Sequence, residues 1–233
     1  MRSPRLNILA AGLTLSVLVG MFEGFDAAAQ DLSALPYAAP AEQRAPRRVG
    51  GNSRGALPSL PWVAALAPDH LALTVSEQPA LYWYLSAPTT ARIEITLIVP
   101  GRAAPLVETV AAGDRAGIHA FWPGRFGVRL EPGVQYEWSV AVVADPAQRS
   151  LDVFTGAALM RVPISGALAA SLAKSGPAAR ARAYAEAGVW YDAFDALTAD
   201  IEAQPGNLAL RERRTASIES IGLAEAAAME RRK

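Results

Sequence analysis

The sequence predicts a mixed α+β fold, an antiparallel β-sandwich over residues 62–162 followed by a small α-helical domain over 163–223. Three observations carry that prediction. "VQYEWSVAVV" alternates Val134, Tyr136, Trp138, Val140 and Val142 with Gln135, Glu137, Ser139 and Ala141, so one face is buried and the other is wet. Seven such short apolar runs, parted by Pro, Gly and Asp, fall between Asp69 and Val162, a density that points to two packed sheets. After Val162 the chain turns alanine-rich, with glycine and proline at helical intervals.

Taken in order, residues 1–29 read as a signal peptide. Arg2 and Arg5 give a positive start, Leu6 to Phe22 is almost unbroken apolar sequence, and Ala27 and Ala29 offer a cleavage site after Ala29. The alternative is a retained anchor, since the run is near the lower limit of about 17 residues for a span. Asn7, Thr14, Ser16 and the closing A-x-A favour cleavage, which leaves no stable membrane span and a periplasmic or secreted protein. Residues 30–61, rich in Ala, Pro, Gly and Arg, have neither periodicity and read as an extended tail.

The seven expected strands are "LALTV", "ALYWYLS", "RIEITLIV", "PLVETV", "GIHAFW", "VQYEWSVAVV" and "LDVFTGAALMRV". "LEPGVQYEW", Leu130 to Trp138, sets a leucine, Pro-Gly and then Tyr136 as many immunoglobulin and fibronectin type III domains do on entering their sixth strand. There the tyrosine hydroxyl bonds back to the chain at the corner. "LYWYLSAP" resembles a second strand carrying a core tryptophan, Trp83, so the resemblance implies an immunoglobulin/fibronectin-III-like sandwich.

Four helices follow. Gly176 closes the first and Pro177 opens the second. Gly188 ends the second, Pro205-Gly206 stops the third, and Asn207 caps a fourth that runs to Ile221. Tyr184, Gly188, Trp190, Ala193, Leu197, Pro205 and Asn207 resemble one tetratricopeptide repeat. A lone repeat cannot bury its own faces, so it must pack on the sandwich, on other helices or on a partner. Residues 224–233 read as a charged tail.

Composition narrows function. The 22 basic and 22 acidic side chains balance, which argues against nucleic acid as a partner. With no cysteine, stability must come from an apolar core rather than from disulfides.

"GGNSRG" (Gly50 to Gly55), "DPAQRSLDVF" (Asp145 to Phe154) and "YAEAGVWYDAFDAL" (Tyr184 to Leu197) follow one another as in an exported bacterial family common in cyanobacteria. That family is known as domain of unknown function nine hundred twenty-eight. The resemblance runs from about Arg48 to Leu223. It implies export and a role among envelope proteins, since members are often encoded near two-partner secretion, adhesin-like or caspase-like proteins, and it brings no catalytic residues. Many members carry a cysteine after "SRG" and another before "DP", where this chain has Leu57 and Ala144. The resemblance thus implies a lost disulfide, with the arginine-glycine stretch across the strand ending at Ala144 and Arg54 near Asp145 and Arg149.

Candidate sites are few. "RRVGGNSRGA", Arg47 to Ala56, lacks the strand, helix and lysine of a nucleotide loop, and Pro58 and Pro61 forbid a helix behind it. It reads as a glycine-permitted turn whose arginines, Arg54 among them, pair with carboxylates or meet an anionic envelope component. "DPAQRS" reads as a turn; the functional alternative is an exposed ion-pair cluster of Asp145, Arg149 and Asp152 that recognises a partner. Tyr191 and Asp192 fall off the core stripe set by Trp190 and border either the sandwich or a partner, as interdomain packing or a ligand shelf. His70 and His119 have no metal-ligand spacing, nucleophile motifs are absent, and no cofactor is expected.

The expectation is therefore a non-enzymatic envelope interaction or assembly module with a protein partner. The alternative is a carbohydrate-binding module using Tyr82, Tyr84 or Trp122 as exposed aromatics, with a hydrolase the remaining class. A deep cleft between the two parts, with acids and bases converging in it, is the arrangement that would argue against a scaffold.

Overall fold

The computed structural model describes residues 33–40, 49–50, 60–110 and 113–232. Residues 31–233 form one compact unit.

The sandwich strands are β1 (Val49–Gly50), β2 (Val63–Ala65), β3 (Ala72–Thr74), β4 (Leu81–Leu85), β5 (Arg92–Ile98), β6 (Leu106–Val110), β7 (Gly117–Phe121), β8 (Gln135–Val143) and β9 (Val153–Arg161). All seven strands expected from the sequence are present. The small sheet has the order β2-β4-β7 and the large one β1-β9-β8-β5-β6. Alternation sets the register: Ile95 lies opposite Val140 and Leu97 opposite Trp138, all four buried on one face.

The expected purely antiparallel pairing needs one correction, because β3 joins β9 in parallel. The outer edge of β9 is shared, with β1 beside Thr155 and Gly156 and β3 beside Leu159 to Arg161. Both segments cover backbone groups that would otherwise form an open edge.

The Tyr136 corner takes the expected form: its hydroxyl accepts the Glu131 N–H at 2.9 Å. β4 is buried on both faces, which explains why its sequence does not alternate. Leu81, Trp83 and Leu85 share one face, where Trp83 stacks on His119 at 4.5 Å. Tyr82 and Tyr84 point the other way, toward the helices.

The helices are α1 (Gly166–Lys174), α2 (Pro177–Glu186), α3 (Trp190–Ala203), α4 (Leu208–Ser220) and α5 (Ala224–Glu230). Side-chain caps start two of them: the Ser165 hydroxyl accepts the Leu168 N–H on α1, and Asn207 Oδ1 accepts the Leu210 N–H on α4. Gly188 turns α2 into α3 at φ +74°, and a Cβ there would lie 2.6 Å from the Ala38 carbonyl oxygen.

Two further expectations are corrected. The supposed charged tail at 224–233 contains α5, whose Ala226 and Ala227 are buried in the core shared with the sandwich. Part of the supposed extended tail is a docked strap. Leu35 is buried and its N–H donates to the Ser217 hydroxyl at 2.9 Å, while the Ala38 N–H donates to the Ala185 carbonyl at 3.0 Å. Tyr37 bonds His70 Nε2 at 2.9 Å and sets its ring edge to Trp190. Leucine and tyrosine side chains in a proline-alanine background supply the apolar area that holds this strap down.

One core therefore continues from the β-strands through Trp190, Tyr191, Phe194 and Ile218 to α5, so the helices share their main core with the sandwich. Smaller clusters hold α2 against α3 and α1 against α2.

Candidate functional site

The turn after β8 closes on itself. Asp145 Oδ1 accepts the Ala147 N–H at 2.8 Å and Oδ2 accepts Gln148 Nε2 at 3.3 Å, so Asp145 shapes the turn rather than joining an ion cluster. Arg149 does form the centre of one. Its Nη2 lies 2.6 Å from Glu94 and its Nε 2.8 Å from Asp152, while Arg92 meets the other Glu94 oxygen at 2.6 Å. Hydrogen bonding to Arg149, then the charges of Arg149 and Arg92, hold the Glu94 carboxyl below its ordinary range.

Two arginines and two carboxylates cancel, and Glu94 and Asp152 are buried. The cluster is thus a half-exposed clamp between β5 and the start of β9, its carboxylates buried and its arginines, Arg149 and Arg92, 48% and 43% exposed. Glu94 was missed because its pairing with Arg149 spans 55 residues of sequence; its one trace was a carboxylate inside the strand "RIEITLIV". Arg54 and Leu57 lie outside the described residues. Val49–Gly50, the described part of the arginine-glycine stretch, runs beside β9, one strand away from β8.

Tyr191 and Asp192 are taken up by the sandwich, not by a ligand or partner. The Tyr191 hydroxyl accepts the Trp138 indole N–H at 3.0 Å and points at the Ala158 carbonyl, and the side chain is 2% exposed. Trp190 beside it donates its indole N–H to the Leu66 carbonyl at 2.9 Å. Asp192 accepts the Val75 N–H at 3.0 Å, and burial pushes its carboxyl up to about 6. The start of α3 is therefore pinned to the strands by aromatic bulk with satisfied polar tips.

Two of the three expected exposed aromatics are also buried, because α3 to α5 cover that face of β4. Tyr82 donates to Asp195 Oδ1 at 2.7 Å and packs on Phe194. Tyr84 stacks on Trp62. Trp122 alone is open, at 39% exposure, with the Arg125 guanidinium 4.4 Å from its ring centre.

Trp122 lies on the rim of a cleft of ≈ 980 Å³ between the small sheet and the helices. One wall comes from β7 and its flanks, with Ile118, Ala120 and Trp122; the other comes from α3 and α4, with Ile201, Leu208 and Arg211. Leu208 is 74% exposed, so apolar side chains from both walls flank the opening.

The deeper charges are matched. Arg214 and Glu230 pair at 2.9 Å with side chains 12% and 13% exposed, and at the surface Arg231 bridges Glu212 and Glu219. His119 is buried against Trp83, with Nε2 3.0 Å from the Arg115 carbonyl. Nearer the surface, Arg115 and Arg211, and Asp114 and Glu202, have no ion-pair partner among the described residues.

A mixed wall of apolar groups and charges of both signs suits recognition of an amphipathic ligand. The cleft had no sequence signal beyond Trp122, because its walls come from segments roughly ninety residues apart. Among the described residues no three His, Asp or Glu side chains come together as a metal site, and no helix is long and apolar enough to cross a membrane.

The family described as Domain of Unknown Function (DUF928) matches residues 49–231. No curated protein and no solved structure matches the chain.

Proposed function

The chain belongs to the DUF928 family, and from the geometry above we propose that it is a non-enzymatic interaction module of the cell envelope that receives a protein partner in the cleft between sheet and helices. A cleft at this junction is half of the arrangement that would argue against a scaffold; what supports the module reading is that Arg214 and Glu230 deep in it are paired with each other while apolar side chains line both lips. Export to the periplasm or beyond rests on the signal-like residues 1–29.

The finer fold reading belongs to the same proposal. An immunoglobulin/fibronectin-III-like sandwich is supported by sheets ordered β2-β4-β7 and β9-β8-β5-β6 and by the Tyr136 corner bond. A tetratricopeptide-like hairpin of α2 and α3 is supported by buried Ala181, Ala185 and Ala193, which let the two helices approach.

The test places a photocrosslinking side chain at Leu208 or, as a control, at Ile98 on the far sheet, in cells carrying the native envelope. A discrete adduct from position 208 and none from 98 supports the reading; equal adducts or none at 208 overturn it. Trp122 on the cleft rim favours glycan as a second reading. Binding on a glycan array that Trp122→Ala abolishes, with no protein adduct at 208, would replace protein by carbohydrate. His119 and the carboxylates of the cleft set a third outcome. Hydrolytic turnover in a broad screen, lost in His119→Ala, would make the site catalytic.

A further inference from the structure

The small sheet ends at β7, and among the described residues only β4 pairs with it. The direction of its free backbone groups follows from the register. The Tyr82 carbonyl accepts the Leu66 N–H at 2.9 Å, on the far side of β4, so the main-chain groups of Tyr82 point away from β7. Ala120 stands opposite Tyr82, and in an antiparallel ladder such a pair exchanges no hydrogen bonds. Ala120 therefore turns its N–H and C=O outward, away from the sheet. Ile118, two residues earlier, has the same orientation, and its carbonyl accepts the Arg115 guanidinium at 3.2 Å. The edge thus offers two N–H groups and one C=O, with the remaining C=O guarded by an arginine.

This edge and the cleft are continuous. Ile118 and Ala120 lie on the same sheet face as Tyr84 and Tyr82, and both line the cleft opposite Ile201 and Leu208. A strand laid along β7 would send every second side chain into the cleft, since strand side chains alternate. Arg115 stands on the edge with no carboxylate partner among the described residues, so charge complementarity calls for an acidic residue on whatever lies there.

We infer that β7 takes up an extended peptide segment of the protein partner as an added strand. Alternate apolar residues of that segment fill the space between Ile118 and Leu208. One of its carboxylates engages Arg115, drawing the guanidinium off the Ile118 carbonyl and completing the ladder. This inference rests on the cleft being a protein-binding site and adds the mode and the chemistry of the partner.

The test uses full-length protein lacking residues 1–29 and a fluorescent, end-blocked heptapeptide of alternating valine and glutamate, followed by anisotropy. Two N-methylated series keep the protein unchanged, one blocking alternate amides and the other blocking the set between them. Strand addition makes only the series that faces β7 lose affinity, by about tenfold or more, while the other stays within about twofold. Ala120→Pro removes only an outward N–H, a change that edge strands tolerate, and reproduces the loss with an unchanged melting temperature. Arg115→Ala removes the preference for glutamate over glutamine in the peptide.

Equal losses in both series, or no binding by any heptapeptide of a positional library, overturn strand addition. The Leu208 crosslink is read separately, so a partner captured there without peptide binding leaves the cleft reading standing and removes only its mode. Glycan binding in place of peptide overturns both.

Discussion

Helix α3 crosses two unlike regions of one layer boundary. Its first turn is sealed: Trp190 and Tyr191 are buried, and their N–H and O–H groups reach Leu66 and Trp138. Its last turns, at Thr198, Ile201 and Glu202, line the cleft. The same two layers thus close where large aromatics fill the gap and open where shorter or charged side chains do not. Closure needs bulk with satisfied polar tips, and an opening rimmed by apolar groups is then available for a second molecule.

The largest expected effect breaks the sealed end. Trp190→Ala removes a fully buried indole and its bond to Leu66, and should lower unfolding free energy by about 3–5 kcal/mol in urea titration. A loss under about 1 kcal/mol would mean that the junction carries little of the fold.

Asp192 sharpens the comparison through pH. Burial raises its folded-state pKa to about 6, from the ordinary carboxylate value. The group therefore costs nothing below about pH 4, destabilises progressively as pH rises from about 4 to about 6, and levels off above that at on the order of 3 kcal/mol. Asp192→Asn keeps an acceptor for the Val75 N–H and removes that slope. Relative to the parent, the variant should gain stability between pH 4 and pH 7.5, and parallel melting curves across this range would contradict the burial argument.

Tyr136→Phe touches the sandwich alone. It leaves the Glu131 N–H without its acceptor and should cost about 1 kcal/mol. An unchanged melting temperature would mean that the corner is held by other groups.

The smallest effect belongs to the open end. Trp122→Ala and Leu208→Ser alter exposed side chains and should shift stability by less than about 0.5 kcal/mol, while Trp122→Ala weakens partner capture by a crosslinker at position 208. A large loss of stability from either would place those side chains in the fold rather than at a binding lip.

The strands were legible where one face is wet. β5 and β8 announce themselves by alternation, and the Pro-Gly corner announces Tyr136. β2 did not, because Val63, Ala64 and Ala65 are all buried and the run sits between prolines like a tail. α5 was hidden in the same way, its buried alanines next to the arginines that end the chain. Of the site residues, Arg149 and Asp152 were found as a pair. Their partner Glu94, 55 residues away from Arg149, is not legible, and helical spacing takes Tyr191 and Asp192 off the core stripe without fixing which surface they meet.

The amino-acid order alone determined the periods, the turns, the caps and the mixed α+β class, because each depends on groups within a few residues of one another. Only the tertiary structure decided that α3 seals at one end and gapes at the other, that Arg149 reaches Glu94, and that β7 keeps a free edge beside the cleft. Those outcomes depend on which distant segments meet, as when Asp192 finds the Val75 amide across 117 residues, and side-chain volume at such meetings is invisible to local pattern.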